Sequence, residues 1–266
     1  MRHLSPPEFV EYHRAALERD EVRHNVLLTV LNQIEADESA GARRWTLDGP
    51  GACAAQTPPY AIVLGALTQA QCHALADETR SLDYPGVVGA DLTARWFVER
   101  ATGLGIAFGE PVPEKIHALG APPRYPGAPG EARLAAPDDG DLLSGWTQAF
   151  VREAVPHDPA PVRERVVKGI SEERYLLWTV DGTPVSMAAI ARRLKTTAAI
   201  SAVYTPPALR GRGYAGSVTA AIAERIFAEG RASACLYTDL RNPFSNRAYA
   251  KIGFKPVCEA WHYPRA

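Results

Sequence analysis

Arg210-Gly211-Arg212-Gly213-Tyr214-Ala215 is the stretch whose residue types and spacing could do chemistry. It follows the run Ala199-Ile200-Ser201-Ala202-Val203-Tyr204-Thr205, which Pro206 and Pro207 stop, and it precedes Val218, Ile222, Ile226 and Phe227 at helical spacing up to Gly230. Small, β-branched and aromatic residues in the run predict a buried strand, so the order is strand, glycine loop, helix. A helix N-terminus presents unpaired N–H groups with partial positive charge. Gly211 and Gly213 remove side-chain bulk from its mouth and permit positive φ, which lets successive amides converge on one phosphate group. Arg210 and Arg212 would add mobile positive charge beside that cradle.

The same pattern also serves as a plain turn, and two nucleotide motifs compete with it. A Walker loop needs a Lys after its last glycine, and none follows Gly213. Gly211-x-Gly213-x-x-Gly216, with Asp239 beyond it, meets the dinucleotide spacing, so that reading stays open.

Further on stands Asn242-Pro243-Phe244-Ser245-Asn246-Arg247-Ala248-Tyr249-Ala250-Lys251-Ile252-Gly253-Phe254. Arg210-x-x-Gly213-x-Ala215 resembles the pyrophosphate loop, R/Q-x-x-G-x-G/A, of the GNAT superfamily of acyl-CoA-dependent N-acyltransferases. The later segment resembles that family's N-x-x-A/S-x-x-x-Y-x-x-x-G-F/Y. The two occur in the family's order, with a helix and a strand between them, and the resemblance covers only the C-terminal half.

The resemblance implies an α/β fold, a mixed twisted sheet with helices on both faces, and acetyl-CoA or another acyl-CoA as co-substrate. The pantetheine arm would lie along the strand edge at Val203, Tyr204 and Thr205, and the diphosphate would reach the amides from Arg210 to Ala215. Asn242 and Ser245 match positions that touch the cofactor or fix its loop; as an Asn-Pro pair opening a helix, Asn242 could equally be a cap. Tyr249 matches the family's general acid and would protonate the departing thiolate, both groups having pKa values above neutrality. Its alternative is a core tyrosine on a short helix. The Glu that many relatives use as base is Tyr237 here, which leaves Asp239, Tyr237, Glu172 or water. The acceptor would be a small-molecule amine or a peptide. An acyl-CoA sensor without turnover is the alternative, since the family Glu is missing.

The 266 residues are 46% apolar and 22% charged, ordinary for a globular protein, with room for two domains. Residues 1–130 hold 11 Lys and Arg against 16 Asp and Glu; by difference from the totals of 29 and 30, residues 131–266 hold 18 against 14. The basic half suits a phosphate-bearing ligand, and uneven surface charge is the plainer reading. Positive residues interleave with acids, so no nucleic-acid face is expected. No apolar run reaches the ~20 residues of a membrane span and no signal core opens the chain, which points to a cytoplasmic protein. Four scattered cysteines suggest buried thiols, and His24, His117 and His262 form no ligand pair, so no metal is expected. Oligomeric state is not legible.

Residues 121–130, rich in Pro and Gly, predict a linker between an N-terminal α/β domain over 1–120 and a catalytic domain over 131–266. The first should hold helices at 7–19, 22–36, 68–80 and 90–101 among strands at 44–47, 60–67, 86–89, 106–108 and 115–119. It is compatible with a degenerate copy of the second domain that lacks the phosphate loop. The second should hold a strand at 133–135, helices from Asp138 or Asp139 and over 160–171, and a hairpin about Asp181-Gly182. The strand and helix about the loop follow, then a strand at 234–239, a helix at 245–251 and a strand at 254–261.

Overall fold

The computed structural model describes residues 2–36, 41–156 and 161–266. The chain opens with α1 (Pro6–Leu17) and α2 (Asn25–Glu35), followed by β1 (Arg43–Thr46), β2 (Cys53–Gln56), β3 (Ile62–Leu64), α3 (Gln69–Thr79), β4 (Gly86–Ala90), α4 (Thr93–Gly103) and β5 (Val112–Leu119). Strands β1, β2 and β3 form an antiparallel meander, and β4 runs parallel to β3 because a helix intervenes. Strand β2 was not expected: Cys-Ala-Ala-Gln carries little strand propensity, and it is all buried.

The second half holds β6 (Glu131–Leu134), α5 (Gly140–Ala154), α6 (Val162–Ser171), β7 (Tyr175–Val180), β8 (Thr183–Arg193), β9 (Thr197–Tyr204), α7 (Tyr214–Ala228), β10 (Ser233–Asp239), α8 (Pro243–Ile252) and β11 (Lys255–Pro264). Residue 160, where the α6 helix was expected to begin, lies outside the described residues. Strands β6 to β9 are antiparallel in sequence order, and β10 joins β9 in parallel across α7. The turn joining β7 to β8 has Asp181 at φ 48° and Gly182 at φ 75°, the left-handed pair that a two-residue hairpin turn requires.

Period-two alternation places helices on both faces of this sheet. Leu176, Trp178, Ala188 and Ile190 point to the core shared with Val218, Ile222 and Ile226 of α7. Tyr175, Leu177, Met187 and Ala189 point to the opposite core with Leu143 of α5 and Val166 of α6. Small residues dominate the buried positions of α7, among them Gly216, Ser217, Ala220, Ala221 and Ala223, so its backbone can lie close on the strands.

Two compact units result, dividing between Ile116 and His117, and the second ends at Pro256. Residues from Val257 onward belong to the first unit, where β11 pairs antiparallel with β4 from Ala260↔Ala90 to Pro264↔Gly86. The Pro/Gly segment expected as a linker is instead docked within the second unit. Arg124 N–H donates to the Ile252 carbonyl at 2.9 Å, the Tyr125 hydroxyl to Glu224 at 2.5 Å, and Trp178 Nε1 to the Pro129 carbonyl at 2.9 Å.

Candidate active site

Strand β9 changes neighbours part-way along. Its parallel register with β10 pairs Thr197–Ile200 with Ser233–Leu236 and stops there. Its antiparallel register with β8 continues to Met187↔Tyr204, with an extra residue on β9 after Ser201↔Ala189. Ala202, at φ 50°, marks that bulge, a conformation that costs a non-glycine residue energy and turns a strand away from its partner. From Ser201 to Tyr204 the strand therefore keeps β8 on one side and lacks β10 on the other. Thr205, predicted to belong to this edge, lies beyond it, and its carbonyl accepts from Arg210 Nε at 2.9 Å. The Tyr204 carbonyl accepts from Ser186 Oγ at 2.9 Å, which leaves Val203 as the least committed of the three predicted residues.

The loop that follows is built to leave amides open. Gly211 and Gly213 stand at φ 80° and 86°, and Gly213 occupies the cap position of α7 with no side chain to fill it. Ser217 N–H donates to the Gly213 carbonyl at 3.0 Å; among the described residues the amides from Gly211 to Gly216 make no such bond. Arg210 departs from the expectation on two counts. Its amide donates to Pro207 at 3.3 Å, so the open run begins at Gly211. Its guanidinium is paired rather than free: it meets Glu153 at 2.7 Å and lies 5.6 Å over the Tyr204 ring. Arg212 is exposed, Tyr214 is buried and Ala215 half-buried. A Cβ on Gly216 would come 2.9 Å from Pro126 Cγ, so packing of the Pro/Gly segment explains the third glycine of the dinucleotide-like spacing.

Tyr249 sits on α8, its ring 6.0 Å from that of Phe254, and burial pushes its phenol up to about 12. Asn242 caps this helix, its side-chain oxygen accepting from the amides of Phe244 at 3.1 Å and Ser245 at 3.3 Å. Ser245 Oγ donates to the Asn242 carbonyl at 3.1 Å, so the Asn242 side-chain oxygen and the Ser245 hydroxyl proton are engaged on their own helix. Gly253, at φ 116°, ends it in a left-handed cap.

Neither predicted carboxylate stands ready as a base. Asp239 accepts from the amide of Arg241 at 2.8 Å and pairs with that guanidinium at 3.1 Å, closing the turn after β10. Burial opposes ionisation of Glu172, but Arg174, with Lys168 and Arg193, holds its carboxyl below the usual range. Arg193, which reaches the Glu172 carbonyl, also pairs with Glu229 at the far end of α7, roughly 20 Å from the loop by helix rise. Tyr237 lies under Arg192, 5.7 Å from its ring centre. Trp146 of α5 faces Tyr204 at 6.3 Å between ring centres. No group of His, Cys, Asp and Glu able to hold a metal ion occurs among the described residues.

Residues 179–263 match the family model described as FR47-like protein. Among solved structures, a Drosophila protein superposes with a TM-score of 0.72 at 13% identity, over 100% of this chain and 98% of that one. A GCN5-related N-acetyltransferase from Kribbella flavida gives 0.56 at 18% identity, over 84% and 89%. A GNAT-family acetyltransferase from Colwellia psychrerythraea gives 0.54 at 13% identity, over 86% and 87%. The fold is that of the GNAT acetyltransferases. No curated protein matches the chain. Within this GNAT fold, two pairings escaped the sequence reading. Glu153 holds Arg210 from 57 positions away, and the pairing of His117 with Thr238 spans 121 positions, separations that no local pattern encodes.

Proposed function

We propose that the second unit transfers an acyl group, acetyl in the simplest case, from acyl-CoA to a primary amine by direct attack in a ternary complex. One observation carries the reading. The edge that β9 exposes from Ser201 to Tyr204, with Val203 its least committed residue, is followed after the turn over residues 205–210 by the open amides Gly211–Gly216, two sets of backbone groups suited first to an amide-bearing arm and then to a diphosphate. The thioester supplies an activated acyl carbon and a thiolate leaving group. The amine nitrogen bonds to that carbon as the C–S bond breaks, and Tyr249 gives its proton to the departing sulfur. The proton lost by the amine leaves through solvent or returns to the phenol. A phenol near 12 is a poorer acid than an ordinary one. The dry surroundings that raise it also raise the basicity of a sulfur leaving there, which narrows the mismatch.

Asp239 is closed into its turn and Tyr237 stands where many relatives have Glu, so the amine must arrive partly neutral or lose its proton through water. The same facts favour a second reading, an acyl-CoA sensor without turnover. The acceptor would be a small amine or a peptide amine, and the protein would act in the cytoplasm; no described helix is long and apolar enough to cross a membrane.

Amine-dependent CoA release tests the reading. It is expected with acetyl-CoA and to fall about 100-fold in kcat for Tyr249→Phe, with acetyl-CoA affinity kept. Tight acetyl-CoA binding without release on any amine favours the sensor, and thermal stabilisation by NADH or ATP but not by CoA overturns both.

A further inference from the structure

We infer that His117, with Thr238 and Asn246, is a positioning residue for the helix that carries Tyr249, an inference that rests on the acyl-transfer reading. His117, near the end of β5, is 6% exposed, and Thr238, near the end of β10, is 4% exposed. His117 Nε2 lies 3.1 Å from Thr238 Oγ1, and Thr238 Oγ1 donates to Asn246 Oδ1 at 2.6 Å. Asn246 in turn donates through Nδ2 to the Asn242 carbonyl at 2.9 Å and the Asp239 carbonyl at 3.3 Å.

The direction of each bond follows from the chemistry of the groups. Nδ2 has two carbonyls to serve, which fixes the amide with Oδ1 toward Thr238. Oδ1 can only accept, so the hydroxyl spends its one proton there. Thr238 Oγ1 then has only lone pairs for the ring, and His117 must present Nε2–H. A donor–acceptor chain with every direction set, buried at His117 and Thr238 and half-buried at Asn246, has one arrangement, and it is stiff for that reason.

The chain runs to the point where stiffness matters. Beyond Leu236, β10 has left β9 and no longer has that neighbour to hold it. Thr238 and Asp239 lie on this released end, and Asn246 ties it to the first turn of α8, one helical turn before Tyr249. His117 thus sets how far the phenol stands from a sulfur on the β9 edge, without touching it. The phosphate-loop amides lie outside the chain of bonds, so ligand affinity should be untouched.

The test uses the full chain with acetyl-CoA and a responsive amine. His117→Ala should lower kcat about tenfold with the acetyl-CoA dissociation constant unchanged. His117→Gln, whose Nε2–H can replace the imidazole donor, should recover most of that loss, and Thr238→Val should match His117→Ala while Thr238→Ser does not. In a Tyr249→Phe background, His117→Ala should cost nothing further, because its effect runs through the phenol. A loss of kcat that Gln does not rescue, or that adds fully to Tyr249→Phe, overturns the inference. Nitrogen-15 NMR of the imidazole gives a readout without turnover: the Nε2–H form is required, and an Nδ1–H tautomer overturns the assignment. A wild type that binds acetyl-CoA but acylates no amine speaks against the acyl-transfer reading instead, and the NMR result still decides the bond directions.

Discussion

The two units each thread a strand, a turn and a helix into a parallel strand, at β3–α3–β4 in the first and β9–α7–β10 in the second, and they treat the start of the helix oppositely. In the first, Thr68 Oγ1 accepts from the amide of Gln71 at 3.3 Å while Gln71 Oε1 accepts from the amide of Thr68 at 2.9 Å, so the helix closes its own N-terminus. Gln71 is further held to the Asp48 carbonyl at 2.8 Å. In the second, a side-chain-free Gly213 leaves the amides open after a strand that has parted from its neighbour. Glycines differ in the same sense: a Cβ on Gly65 would lie 2.6 Å from the Gly51 carbonyl oxygen, a packing constraint, whereas Gly211 faces open space at positive φ. One topology thus yields a sealed end and an open one, and the difference lies in a few capping atoms.

The comparison breaks most directly at Gly213. Gly213→Asp places a carboxylate and a Cβ at a positive-φ position 3.3 Å from the Ala128 Cβ. Acetyl-CoA affinity should fall about 100-fold by calorimetry, with like-charge repulsion of the phosphates as the main cause. Unchanged affinity would mean the open end is not where the ligand binds.

A second difference is in acid response. In the first unit, His13 is fully buried and takes its Nδ1 hydrogen bond from the Gly51 amide at 3.1 Å, so Nε2–H donates to Thr46 Oγ1 at 3.0 Å. Only the neutral ring satisfies both bonds, and burial lowers its pKa to about 4 from 6.5. A folded pKa below the unfolded one means the unfolded chain takes up the proton first. The stability from this group is therefore whole above about pH 6.5 and drains away as pH falls toward about 4. Between about pH 7.5 and about pH 5 this group should cost the first unit about 2 kcal/mol, and His24, whose pKa burial likewise lowers to about 4, adds to the loss. Hydrogen exchange should show its amides deprotecting ahead of those in the second unit, and His13→Gln should remove the share of the trend that His13 carries, leaving that of His24.

The smallest effect sharpens the contrast. Thr68→Ala unseals α3 and should cost the first unit about 1 kcal/mol in denaturant unfolding. It should confer no acetyl-CoA binding there, since β3 has no bulge and a sealed cap is only one of the differences. Binding gained at the first unit would show that capping alone separates the two.

What the sequence disclosed follows the reach of each interaction. Gly213 and the Asp181-Gly182 turn were legible because positive φ restricts which residues fit, whatever surrounds them. The cap at Asn242 was legible as an alternative because it closes over two and three residues. The ion pair that Arg210 makes was not legible because Glu153 is distant in sequence, and the Pro/Gly segment read as a linker because its partners, Glu224, Gly216 and Trp178, lie far along the chain. The closing of the first unit by β11 lay beyond any local pattern for the same reason.

That closing strand bears on how the protein is made. A ribosome delivers α1 to β4 early, yet β4 must wait for Pro264 to leave the exit tunnel before its antiparallel neighbour exists. The half translated first cannot be the half finished first, and an unmated β4 edge is held open while the residues between Ala90 and Ala260 are made, where nascent-chain chaperones would find it.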